Sequence, residues 1–289
     1  MSSTETALNP RHLQWWWAAV LAVSMFAVEY LFFIRLREGQ WADEVGYGVW
    51  SQWWPSTSLQ QPVRQFLDLL PWICGAMAAV FLLYRVIRDR SFLRALIAIM
   101  AAGGAMATTQ LLKHSVLDRP DFNFGTPGNS FPSGHTTAAA AAMGLMYIMS
   151  PPRLRPAVQP VAWIFATATG LATLVCGWHR PSDIAAGFLV AAFWMVLASA
   201  VLQKIQPLSH EVKETSWSRT AGIFAIIWWV LVIILSYLLP HPHIQKVPEA
   251  LQISYAALGI IHVLAAAVIA GLLLRSVVIG PARSEPAAD

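Results

Sequence analysis

The chain has 289 residues, 57% of them hydrophobic and only 12% charged, with 14 tryptophans, two cysteines and a formal net charge of +4. A soluble domain carries about 25% charged residues, so this composition excludes a water-soluble enzyme or a nucleic-acid binder. It describes a polytopic membrane protein. Cys74 and Cys176 lie in or beside apolar runs, and zinc or iron–sulfur centres need more ligands at closer spacing. Both cysteines therefore read as small apolar packing residues.

Runs of about 20 apolar residues cross the ~30 Å hydrocarbon core of a bilayer. Eight stretches meet or approach that length: 13–34, 66–87, 92–112, 135–150, 161–178, 184–202, 221–239 and 255–274. The expected fold is an all-α transmembrane bundle of about eight spans. A six-helix core occupies 1–205, two further spans occupy 206–276, and 277–289 form a polar, Pro-containing tail expected to be disordered. The first run is too long for a secretory signal and lacks a small-residue cleavage site, so it reads as a retained span. The segment from Arg35 to Gln65 holds Trp41, Trp50, Trp53 and Trp54. It is expected to anchor a short interfacial helix through an aromatic belt.

Orientation follows from the basic residues in the connections. With the N-terminus inside, twelve of the 19 Lys and Arg fall on the inner face, among them Arg85, Arg88, Arg90, Arg94, Arg153, Arg155 and Arg275. The other seven fall outside, and Lys113, Arg119 and Arg180 are among them. Both termini are thus expected to be cytoplasmic in a multi-pass protein of the plasma membrane.

Three polar clusters sit at the outward ends of the third to sixth spans: "KHSVLDRPD" at 113–121, "FPSGHTT" at 131–137 and "GWHRPSD" at 177–183. Charges at the edge of an apolar slab are costly and mark function. Ser133 is a preferred N-cap and Gly134 lets backbone approach a ligand, so the start of the Ala-rich fourth span suits an anion. Lys113 and Arg119 supply positive charge, with Arg able to hold two phosphate oxygens in a fork. His179 and His135 suit a nucleophile and a general acid. Asp183, four residues after His179, is placed to accept its other N–H and fix the tautomer. Phosphoryl transfer needs mostly positioning and positive charge, so this set requires no metal or other cofactor. The remaining histidines His241, His243 and His262 read as polar anchors. In the last two spans Trp228, Trp229 and Tyr237 read as lipid-facing or packing residues.

These clusters resemble the type 2 phosphatidic acid phosphatase family of membranes. "FPSGH" at 131–135 matches its second motif in full, "HRPSD" at 179–183 the end of its third, and Arg119-Pro120 with upstream Lys113 its first. The resemblance spans roughly residues 66 to 205. It implies that His179 forms a phosphohistidine, that Asp183 orients it and that His135 is the general acid. Lys113, Arg119, Ser133 and Gly134 would hold the phosphate. The sequence departs from the family in two places. Five residues rather than six separate Lys113 from Arg119, and Ala172-Thr173 stand where the third motif begins with Ser-Arg. Arg180, beside the nucleophile, is expected to replace the lost charge; His114 is a weaker substitute.

The expected function is a lipid phosphate or diphosphate phosphatase at the outer face, acting on a polyprenyl diphosphate, phosphatidic acid or a similar lipid. A phosphotransferase sharing the intermediate and an inactive lipid-phosphate binder are the alternatives. The implied partners are the lipid substrate and the bilayer, with no nucleic acid. The sequence leaves the oligomeric state open.

Overall fold

The computed structural model describes residues 10–53, 60–125, 128–151, 153–205 and 216–277. All regular structure among them is helical: α1 (Pro10–Glu29), α2 (Arg37–Trp53), α3 (Gln60–Asp89), α4 (Phe92–Leu111), α5 (Gly134–Met149), α6 (Arg155–Val175), α7 (Pro181–Ile205), α8 (Ser216–Leu238) and α9 (Glu249–Val277). Two of them end in wide π-helical turns, α1 at Tyr30–Arg35 and α4 at Leu112–Val116. Among the described residues, six of these helices are long and apolar enough to cross a bilayer. α5 and α8 occupy the other two stretches expected to span. The tail after Val277 and Trp54 lie outside the described residues.

α5 has 16 residues, about 24 Å at 1.5 Å per residue, short for a helix that faces lipid. It need not face lipid, because α3, α4, α6 and α7 surround it and residues Thr136 to Met149 are almost all buried. Its alanines let the neighbours approach closely, as small residues do between helices in membranes. The tightest approach is to α7, where a Cβ on Gly187 would stand 2.9 Å from the Ser133 carbonyl oxygen and 3.0 Å from the Thr136 Cβ. α9 in turn runs along α7, and α8 packs on α9.

α6 ends before the predicted boundary at 178, and the reason is Gly177. Its φ of +72° is a left-handed conformation that glycine adopts without a steric penalty. The Gly177 and Trp178 amides donate to the carbonyls of Leu174 and Thr173, at 3.0 and 2.9 Å, closing the helix in a Schellman motif. The chain then turns through His179 and Arg180, and Pro181 opens α7 at a position where proline's missing N–H costs nothing. The sequence CGWHRP is therefore an elbow that presents His179 and Arg180.

One end of the bundle is basic. Arg85 Nε donates to the Met149 carbonyl at 2.9 Å and Arg155 Nε to that of Ser150 at 3.1 Å, tying α3 and α6 to the end of α5. The three polar clusters lie together at the opposite end.

Two expectations change. Trp41 is no surface anchor: its helix α2 packs against α9, α6 and α8, with Gln40 to Val45 buried. Trp41 is only 2% exposed and sits edge-on to His241 and Tyr255, at 5.0 Å from each. His262 is likewise no interfacial anchor. It is buried on α9 with its Nε2 2.8 Å from Glu29 of α1, whose carboxylate also accepts the Trp229 indole N–H of α8 at 2.7 Å. Trp229 is thus a packing residue, while Trp228 and Tyr237 are exposed on the outside of the bundle.

Candidate active site

The two histidines meet. His179 on the elbow and His135 on the first turn of α5 have ring centroids 6.0 Å apart, and Trp178 packs against His135 at 5.1 Å. His179 is buried. Burial pulls its pKa below the ordinary histidine range, against the carboxylate of Asp183, which favours the neutral imidazole.

Asp183 is fully buried on the first turn of α7 and is the hub of the site. Its Oδ1 accepts from Arg119 Nη2 at 3.0 Å, and its Oδ2 from the Ser130 hydroxyl at 2.5 Å and the Arg180 amide at 2.9 Å. The expected contact with His179 is present as proximity, Nδ1 to Oδ2 at 3.6 Å, longer than a hydrogen bond. That leaves His179 Nε2 as the ring nitrogen turned away from Asp183.

Arg119 is held on the loop after α4. Tyr30 and Arg35, in the π-turn of α1, both donate to Asp118, at 3.0 and 2.6 Å, and Gln40 Nε2 donates to the Pro120 carbonyl at 2.9 Å. The Arg119 side chain is 5% exposed. Its Nε and Nη1 are buried without a hydrogen-bond partner. Buried donors are nearly always satisfied, so these two nitrogens, with Nη2 already held by Asp183, are an anion-seeking feature of the described residues. Lys113 lies in the π-turn of α4, where such turns recur at functional sites. Asn129 Nδ2 braces that turn by donating to the carbonyls of Lys113 and Leu117, at 3.1 and 2.9 Å. From there the Lys113 charge acts on His179 and Asp183.

Ser133 caps α5 as expected: its hydroxyl accepts from the Thr136 amide at 3.3 Å and the Thr136 hydroxyl at 3.0 Å. Its own amide donates to the Asp183 carbonyl at 2.8 Å, which locks the second cluster to the third. Gly134 is partly exposed at the helix start.

Three participants escaped the sequence reading. Asp43 on α2 accepts from the Ser182 amide at 3.0 Å and the Ser182 hydroxyl at 2.6 Å. Burial, and then the Asp183 charge, push its carboxyl up to about 7, against the pull of Arg119. Glu44 accepts from Arg180 Nε at 2.5 Å, and Ser130 from Arg180 Nη1 at 3.0 Å. Burial opposes the charge of Arg180, yet Asp183 and Glu44 outweigh it and raise its pKa. The signal for Asp43 and Glu44 was two adjacent carboxylates in a Trp-rich segment.

Residues 94–207 match the PAP2 superfamily. The PAP2 likeness in sequence is that of this segment, less than half of the chain. The match runs from α4 to just past α7 and so contains all three clusters. A solved structure described as the first transmembrane PAP2 type phosphatidylglycerolphosphate phosphatase from Bacillus subtilis superposes with a TM-score of 0.57 at 19% identity. It covers 67% of this chain and 100% of that chain, a likeness of fold. No individually curated protein shows significant sequence similarity to the chain. Within the PAP2 core, Thr173 is buried and its hydroxyl donates to the Gly170 carbonyl at 2.7 Å. That position serves the end of α6 and brings no cation. His114 is exposed and pairs with Gln110 at 3.2 Å, while Arg180 points its positive charge into the Asp183–Glu44–Ser130 cluster.

Proposed function

We propose that this protein is a membrane phosphatase for a lipid phosphate or diphosphate, working at the outer face through a phosphohistidine. The observation that carries the reading is the His135–His179 pair beside the two unpartnered N–H groups of Arg119. Nε2 of His179 attacks phosphorus and the P–O bond to the lipid breaks, while His135 gives its proton to the departing oxygen. His135 then takes a proton from water, whose oxygen attacks the phosphohistidine and releases phosphate and free His179. Asp183 supports the positive charge that develops on the imidazole. Arg119 offers its unpartnered Nε and Nη1 donors to the phosphate, and Lys113 and the α5 start at Ser133–Gly134, through the Gly134 amide because that of Ser133 is held by the Asp183 carbonyl, stabilise the rest. Arg180 adds charge from the elbow in place of the missing third-motif arginine. His179 and its partners stand at the membrane edge because a lipid's phosphate lies there while its tails remain in hydrocarbon.

The test is phosphate release by the purified protein from a panel of polyprenyl diphosphate, phosphatidic acid and phosphatidylglycerol phosphate, with EDTA present. Release abolished by His179→Ala supports the mechanism and ranks the substrates. Release that survives His179→Ala, or needs a metal, sinks it.

A second reading rests on a separate observation. Beside the Arg180–Glu44 pair lies a polar-lined cavity of about 470 Å³, bounded by Glu44, Tyr47, Ser51, Gln52 and Gln252. It is large enough for a polar acceptor, which would receive the phosphoryl group in place of water. Product analysis with labelled donor and a candidate sugar or lipid acceptor separates transfer from hydrolysis.

A further inference from the structure

At the basic end of the bundle, remote from the histidines, a groove of about 650 Å³ opens between α6 and α9. Its walls are Gln159 and Trp163 of α6 and Val268 and Leu272 of α9, and Arg155 and Arg275 stand at its head. Val268 is 44% exposed, so the groove faces the bilayer. Trp163 forms its floor by lying against the backbone of α9: a Cβ on Gly271 would stand 2.7 Å from the indole ring.

Its dimensions are those of one leaflet. On α9 the lining runs from Leu264 to Arg275, about 16 Å of helix at 1.5 Å per residue, and half of a ~30 Å hydrocarbon core is about 15 Å. The apolar walls thus cover the depth of an acyl chain and the arginines reach the head-group level. The charged residues lining the groove are both basic, although Arg85 nearby is itself paired with Asp89. Arg155 is only 8% exposed, braced by the Ser150 and Ile148 carbonyls at 3.1 and 3.5 Å. Arg85 and Arg94 lie near enough to add their positive fields to it.

We infer that this groove is a binding site for one anionic phospholipid in the leaflet opposite the histidines. An acyl chain lies along Trp163, Val268 and Leu272, and the phosphate sits between Arg275 and Arg155. The site is independent of the lipid phosphate handled at the other face, and its assignment does not depend on the proposed chemistry.

The test is lipid retention by the full chain purified from vesicles of equal phosphatidylglycerol and phosphatidylcholine, read by native mass spectrometry. The expected result is retained phosphatidylglycerol above the bulk ratio, by about fivefold for each arginine engaged. Arg275→Gln lowers the enrichment, Arg275→Lys keeps most of it, and Val268→Trp, which fills the groove, reduces retention of both lipids. Arg153→Gln removes a charge near the same end but outside the groove and leaves the enrichment unchanged. No enrichment in the unaltered chain overturns the proposal. An equal loss in Arg153→Gln and Arg275→Gln also overturns it, because the attraction would then be diffuse surface charge. Unfolding temperature in phosphatidylcholine alone identifies any variant that fails to fold, and Val268→Trp stands as the second variant in that event.

Discussion

Arg180 and Glu44, 136 residues apart in sequence, are joined by a hydrogen-bonded ion pair, Nε to Oε2 at 2.5 Å. The pair fastens α2 to the elbow that carries His179. Replacing Glu44 with Gln removes the negative charge and keeps an acceptor, so the site becomes more positive and KM for a lipid phosphate falls. Arg180→Ala should raise KM by about tenfold, the worth of a charge-assisted hydrogen bond, with a smaller effect on kcat. Steady-state kinetics and inhibition by a phosphate analogue read both; an unchanged KM in Arg180→Ala removes Arg180 from phosphate binding. Gly125→Ala offers an independent check, since its Cβ would stand 2.2 Å from Glu44 Oε1 and must displace the carboxylate.

The proposed nucleophile, His179, sets an acid limit. Attack needs the neutral imidazole, and burial holds the His179 pKa below its ordinary 6.5. Activity should therefore persist as pH falls through 6.5 and fail only at lower pH, where His179 takes a proton. The pH profile of kcat/KM, the quantity that reports free-enzyme groups, measures this. An acid limb centred above 6.5 contradicts it.

Asp43 makes a separate prediction, about stability. Its carboxyl is raised from 3.8 to about 7 in the folded protein, so between those values the folded state holds a proton that the unfolded state has lost. Stability therefore falls as pH rises from about 4 to 7. Asp43→Asn keeps an acceptor and removes the titration. The slope of unfolding temperature against pH across that window should flatten in the variant, and an unaltered slope would refute the assignment.

The contact between α5 and α7 has no room for even a methyl group at Gly187. Gly187→Ala must push the Ser133 carbonyl away, and with it the turn that carries His135. A shift near 1 Å in a reacting group costs up to ~10²-fold in rate, so the few tenths of an ångström needed here should lower kcat by up to about tenfold while the protein still folds. Retained activity would show that the α5 turn is more tolerant than its packing suggests.

The outline of this architecture was legible in the sequence because hydrocarbon imposes a length and a composition on every span. The candidate site was legible to the extent that its residues are local: PSGH and HRPSD each carry a helix start beside a histidine, and both helix starts occur in the structure. What stayed hidden depends on pairing across the chain. Asp43 and Glu44 look like solvated charges on an amphipathic helix until Ser182 and Arg180 are seen to face them. Trp41 and His262 fit an interfacial pattern by residue type, and only the packing of α2 and α9 shows them buried. The end of α6 is marked by Gly177, a helix-stop signal inside an apolar run.

Glu29, His262 and Trp229 form a buried polar knot among α1, α8 and α9. Removing one partner of such a pair strands the other and costs about 3–5 kcal/mol. Glu29→Ala or His262→Ala should thus lower the unfolding temperature sharply. The double alanine variant should cost less than the two single changes added, a non-additivity read from a double-mutant cycle.

The same knot orders events in time. During synthesis α1 enters the bilayer first, carrying a carboxyl group whose partners are encoded some 200 and 233 positions later. Until those helices are made, Glu29 has no lasting place in hydrocarbon and must borrow a neighbour or hold α1 near the membrane surface. The first span is therefore seated last, and a chain that stops short of residue 262 carries an unfinished helix at its beginning.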